Sequence, residues 1–250
     1  MKNLYITTLL IISTICCTTI CFTTISAANT NNTPNNASAQ ANTSAPAGKS
    51  LVRLIDSISV INKDLTLIVV GYEGCAPCKM LKTSDYYKNL PVGKTYLDIL
   101  NSSEEKLFAQ LFFITGYPTS IVMDSDWNLK SIVLGYRDYE ARMDSVLNQG
   151  VTLYDIRMKG IEKERAVDMF RYALKAVRCY WRGEFVQMEG FALKSRENGD
   201  YLFNNYLLYI AALKGGNTAM ASHYKNEIAT RFSDKMHRSI YAEMFAEMQL

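Results

Sequence analysis

The chain has 250 residues, a formal net charge of +3 and 48% hydrophobic residues. That length allows one or two domains, and the hydrophobic share suffices for an ordinary globular core. No cluster of lysine and arginine accompanies the small positive charge, which argues against nucleic acid as a partner.

The first residues read as an export signal. Lys2 supplies a positive start, residues 4–25 are apolar and threonine-rich without charge, and Ser26-Ala27-Ala28 offers the small residues that signal peptidase requires. Residues 1–28 are therefore expected to be a signal peptide cleaved after Ala28. The apolar run is also long enough for an uncleaved membrane anchor, and the two fates stay open. Either way the chain is expected to be exported, to the periplasm or cell envelope. Cys16, Cys17 and Cys21 follow Ile15, Cys16 and Ile20, where a lipidation signal wants a small residue, so they read as apolar members of the signal. Residues 29–49 are almost entirely Asn, Thr, Ala, Ser, Pro and Gln. With nothing to bury against the entropy of ordering, they predict a disordered linker.

Leu51, Leu54, Ile55, Ile58 and Ile61 recur at helical spacing and predict an amphipathic helix over 50–62. The near-continuous apolar run at 65–72 predicts a strand covered on both faces. Gly74-Cys75-Ala76-Pro77-Cys78-Lys79-Met80 comes next, with a helix expected over 79–90. A strand is expected over 94–100, a helix capped by Ser103 running to about 113, and a strand over 119–124 opened by Pro118. A turn at Asp126-Trp127-Asn128 leads into a strand over 129–134, then Gly135 and a helix over 138–147.

Two cysteines spaced by two residues, where a strand gives way to a helix, carry specific chemistry. The first sits at the positive end of the helix dipole, among free backbone N–H groups that favour an anion. Because the thiolate is the reactive form, that position activates Cys75. Cys78, one turn on and less exposed, is placed to attack a mixed disulfide at Cys75 and release the partner. Pro77 suits the first helical turn, where its missing N–H costs nothing.

The segment resembles the thioredoxin family, whose motif is Trp-Cys-Gly-Pro-Cys-Lys-Met. The chain keeps Cys-x-Pro-Cys-Lys-Met, and downstream it has Gly116-Tyr117-Pro118-Thr119, where the family has a Pro-Thr opening a strand. The resemblance covers roughly residues 51–147. It implies an α/β thioredoxin-like central sheet with flanking helices over 50–149, and catalytic roles for Cys75 and Cys78. It also implies a cis peptide bond before Pro118, packing of that proline against the cysteine pair, and a substrate groove in which Tyr117 offers its backbone to the bound chain. Gly74, Ala76 and Pro77 would line the same groove. No cofactor is implied, because electrons pass as thiol–disulfide exchange.

The chain departs from the family at three places. Gly74 stands where thioredoxins carry tryptophan, which opens the rim beside Cys75. Val69 stands where they carry a buried aspartate, held to accept the proton of the second thiol. Glu73 is a candidate substitute, against the plainer reading of a solvated side chain. Tyr117 replaces the usual isoleucine or valine, either as a substrate-contacting gate or as a rim aromatic.

Beyond residue 150 the composition turns helical. Helices are expected over 161–181, 184–196, 201–213, 217–232 and 235–248, punctuated by Gly183, Gly199 and Gly215-Gly216. Gly183-Glu184-Phe185 and Gly216-Asn217 lie one period of roughly 34 residues apart, and residues 211–241 resemble a tetratricopeptide repeat. An all-α helical-hairpin domain is therefore expected over 150–250. Tyr180, Trp181, Phe185, Tyr201, Phe203, Tyr206 and Tyr209 either line a docking groove for a client protein or pack the helices together, and at helical spacing packing is the commoner use. Cys179, amid Val177, Tyr180 and Trp181, reads as a buried free thiol. Structural zinc would need two further ligands beside Cys75 and Cys78. Cys179, His223 and His237 are not spaced to supply them, so no metal is expected.

Together these features predict an exported thiol–disulfide oxidoreductase acting on protein thiols and disulfides, supplied by a membrane electron donor if it works as a reductase. The alternative is a scaffold or adaptor whose helical domain binds a partner protein.

Overall fold

The computed structural model describes residues 64–100, 103–156, 158–238 and 240–250. The expected signal peptide, linker and 50–62 helix lie outside the described residues.

Strand β1, Leu65–Gly71, is buried at every position after its first. It can be so apolar because both of its faces and both of its edges are covered. It pairs in parallel with β2, Gly93–Asp98, and antiparallel with β3, Thr119–Asp124, which pairs antiparallel with β4, Leu129–Leu134. The strand order is β2-β1-β3-β4, a mixed four-stranded sheet. The turn between β3 and β4 closes on Asp124, whose carboxylate accepts from the backbone of Asp126 at 3.0 Å and of Asn128 at 2.8 Å.

Alternation along each strand sends side chains to two separate cores. One face carries Leu67, Val69, Val122 and Val133. It is covered by α1, Ala76–Thr83, by the short α2, Asp85–Asn89, and by α4, Tyr139–Leu147. The other face carries Ile68, Val70, Ile121, Met123 and Ile132, against α3, Ser103–Leu111. The helix expected over 79–90 is thus two helices. Ser84 divides them, with extended backbone, an N–H donating to Leu81 O and Met80 O, and an Oγ accepting from Tyr87 N at 3.2 Å. Its hydroxyl both ends one helix and caps the next, the competition with helical bonding that serine offers.

A run of helices follows: α5, Lys163–Trp181; α6, Phe185–Asn198; α7, Leu202–Lys214; α8, Thr218–Arg231; and α9, Ala242–Met248. Successive members of α5 to α8 pack side by side. The turns after α5 and α7 place Gly183 and Gly216 at φ 73° and 80°, a left-handed conformation that glycine adopts without strain. Asn217 caps α8 by accepting from Met220 N. The helix expected over 235–248 is shorter than predicted. A 3-10 turn at Ser233–Lys235 and further short-range bonds from Met236, Arg238 and Tyr241 precede α9. Residues 237–238 lie exposed, with no apolar face to bury, so nothing holds that stretch in an α-helix.

The helical region and the sheet share one continuous core. Met169, Phe170, Ala173 and Val177 of α5 join the cluster formed by Ile121, Ile132, Phe108 and Phe112. Phe170 meets the ring of Phe112 at 5.9 Å, and Tyr201 Oη donates to Leu111 O at 2.8 Å. Tyr201, Phe203, Tyr206 and Tyr209, candidates for a docking groove, are buried core residues. Trp181 is 55% exposed and stacks on Trp127 of the β3–β4 turn.

The connection into α5 holds a feature without a sequence signal. Ile132 N donates to Leu153 O at 2.7 Å and Asp155 N donates to Ile132 O at 2.9 Å, forming a parallel bridge on the outer edge of β4. The Asp155 carboxylate accepts from Leu134 N at 2.9 Å and pairs with Arg142, which also donates to Leu134 O.

Candidate functional site

The site forms where β1 ends. Strand pairing with β2 stops at Gly71, and the chain turns through Tyr72, Glu73 and Gly74, with Cys75 N donating to Tyr72 O at 3.1 Å. Cys75 is the N-cap of α1, with extended backbone at φ −85° and ψ 104°. Its sulfur takes the place a capping oxygen usually fills, accepting from Cys78 N at 3.2 Å. Pro77 occupies the first turn. A disulfide joins Cys75 to Cys78, with their Cα atoms 5.2 Å apart.

The two sulfurs are unequal. Cys75 retains 7% exposure and borders an open cleft of about 710 Å³, whereas Cys78 has none. Only Cys75 can be reached by another molecule. The backbone N–H at the helix start that bonds its sulfur would also stabilise a thiolate there. Gly74, Ala76 and Pro77 are exposed, and Gly74 and Ala76 line the cleft with Cys75. Lys79, Lys82, Glu73 and Asp98 give the cleft charge of both signs.

Tyr117 and Pro118 come from the start of β3. The pairing of Val70 with Thr119 brings this segment beside the end of β1. The Tyr117–Pro118 bond is cis. Pro118 is buried, and its carbonyl accepts from Gly135 N at 2.8 Å. The ring of Tyr117 meets that of Tyr72 edge-on at 5.3 Å, and burial followed by the neighbouring Tyr72 pushes its phenol pKa up. Tyr117 is thus a half-buried aromatic supporting the loop that leads to Cys75.

Val69 points into the core on the α1 side of the sheet, and Glu73 is exposed at the cleft. At this strand end stands a polar group that the sequence does not single out. Tyr96 of β2 places its hydroxyl over Gly71, where an ideal Cβ would stand 2.1 Å from Tyr96 Oη and 3.0 Å from Cys78 Sγ. A glycine closing an otherwise bulky apolar strand was the available signal, since glycine inside a strand often marks such a close approach.

Cys179 on α5 is the one cysteine of the described residues outside the pair. Burial, and then the nearby Glu184, push its thiol up to about 11, far from a reactive thiolate. Among the described residues no three His, Cys, Asp or Glu side chains gather as a metal site would require, and no helix is long and apolar enough to cross a membrane.

No protein-family model matches the chain, and comparison with curated proteins finds no match.

Proposed function

We propose that the chain is an exported thiol–disulfide oxidoreductase with a thioredoxin-like α/β domain, acting on protein thiols and disulfides in the periplasm or cell envelope. The observation that carries this reading is the asymmetric cysteine pair. Cys75 is reachable and capped by the N–H of Cys78, Cys78 is inaccessible, and the two are joined as a disulfide. The cis bond before Pro118, in a segment lying beside the same strand end, adds support.

Acting as a reductase, the Cys75 thiolate attacks a substrate disulfide, forming a mixed disulfide and releasing one substrate thiolate. The Cys78 thiolate then attacks Cys75 Sγ, re-forming the internal disulfide and releasing the second substrate thiolate. Two electrons pass from the pair to the substrate, and a membrane electron donor would return them. Run in reverse, the oxidised pair donates its disulfide to a substrate dithiol.

Equilibrating the full chain in glutathione buffers and measuring the Cys75–Cys78 reduction potential tests the reading and gives the direction. A value near roughly −270 mV marks a reductase, and one near roughly −120 mV a disulfide donor. A pair that exchanges with glutathione at no poise sinks the proposal. Cys75→Ser separates enzyme from scaffold, because an oxidoreductase loses disulfide exchange while an adaptor keeps partner binding.

A further inference from the structure

β1 closes on a glycine, and this one serves no turn. Gly71 still sits in the ladder, paired with Asp98 of β2. The space its side chain would fill is occupied by Tyr96 Oη and bordered by Cys78 Sγ. Strand register explains why the Tyr96 hydroxyl lies over Gly71. Tyr96 pairs with Val69, so its ring shares the face of Val69 and Gly71, the face that α1 covers. Lys82 of α1 lies over that ring at 4.7 Å from its centre. Among the described residues no hydrogen bond claims the Tyr96 hydroxyl.

We propose that Tyr96 is the positioning residue of Cys78: once the Cys75–Cys78 bond opens, its hydroxyl donates a hydrogen bond to the Cys78 sulfur and holds it as thiolate. The inference rests on the oxidoreductase reading and names the group that makes its buried thiol usable. Cys78 has no exposure, and burial disfavours the charged form of a thiol. A hydrogen bond donated to the charged sulfur opposes that preference. Burial, and then the charge of Asp98, push the Tyr96 phenol pKa up, so the hydroxyl keeps its proton and acts as donor, never as base. Around the pair stand Lys79 and Lys82 from α1, Asp98 from β2, Tyr87 from α2 and Glu73 from the loop. The lysines favour a thiolate and the carboxylates oppose it, which leaves the hydroxyl as the directed contribution. In the resolving step the Cys78 thiolate attacks Cys75 Sγ, a new S–S bond forms, and the substrate sulfur leaves with the electron pair and takes its proton from water in the cleft. Tyr96 stays protonated throughout.

The test uses the full chain carrying Cys75→Ser, which isolates Cys78. Because no reagent reaches Cys78 in the folded chain, its ionisation is followed by the pH dependence of its Cβ carbon NMR shift. Tyr96→Phe removes the hydroxyl and little else, and is expected to raise the titration midpoint by about one pH unit, which is about tenfold less thiolate below it. Gly71→Ala keeps the phenol but displaces its hydroxyl, and should move the midpoint the same way. It decides the matter with the same readout should Tyr96→Phe fail to fold. A midpoint unchanged in the folded variant overturns the proposal. The readout needs no turnover. A shifted midpoint in a chain that exchanges no disulfides removes the functional reading alone, and an unchanged midpoint in an active chain removes the role of Tyr96 alone.

Discussion

Replacing Phe170 by alanine tests whether sheet and helices form a single cooperative body. Phe170 is fully buried on α5, between the ring of Phe112 from the turn after α3 at 5.9 Å and that of Tyr201 at 6.0 Å. Truncating a buried phenylalanine costs about 3–5 kcal/mol, and the loss of two ring pairs places this site toward the upper end. Set against a typical stability of about 5–15 kcal/mol, that is a large fraction. It corresponds to a fall of about 1–2 M in the urea midpoint. Trp127 and Trp181 make a convenient probe, because they are the only tryptophans and stack on each other across the junction of sheet and helices. Far-UV circular dichroism follows the helices. With a shared core the two signals fall together in the parent and shift together in the variant. Two separate transitions, with only the helical signal moved by Phe170→Ala, would refute the reasoning.

Four further outcomes follow from buried or bonded groups. Tyr206 donates to the buried Glu247 carboxylate, so Tyr206→Phe should cost about 1–3 kcal/mol in urea unfolding by removing one hydrogen bond to a charged group. Tyr201 and Tyr206 are both held well above the ordinary phenol value of 10.0, chiefly by burial. The unfolded chain ionises there first, so their contribution is complete below pH 10 and drains away as pH rises further; an alkaline melting series should show the decline. At Asp124 burial alone would raise the carboxyl, but bonds from Asn128 and Lys130 outweigh it and hold the group below 3.8. Stability from this turn is therefore present above that pH and lost as pH falls through the folded value. Asp124→Asn should flatten the acid limb of a stability–pH curve. Cys179, buried with its thiol pushed up to about 11, should resist alkylation at neutral pH in the native chain and react fully in denaturant, as read by peptide mapping.

What was legible in the sequence was whatever repeats or alternates. The strands over 119–124 and 129–134 match their expected bounds because apolar residues and a turn mark both ends. The cysteine pair was legible because its spacing places it at a strand-to-helix turn by itself. The break at Ser84 was not, because a single hydroxyl decides it against an otherwise helical run. The bridge at Leu153 and Asp155 lacks any period, being two backbone bonds dictated by a neighbouring strand. Tyr96 was hidden for a related reason. Its place over Gly71 depends on parallel register with Val69, a long-range fact that no local pattern encodes.

That bridge has a consequence for how the chain behaves when damaged. β4 is the outer strand of its sheet, and a bare strand edge is a template on which other chains can add. Here the chain's own passage toward α5 lies along that edge, fastened by Asp155 to Leu134 and to Arg142. Proteolysis between α4 and α5 would therefore do more than cut the connection. It would free a sticky edge, so a nicked chain should be more prone to self-association than an intact one.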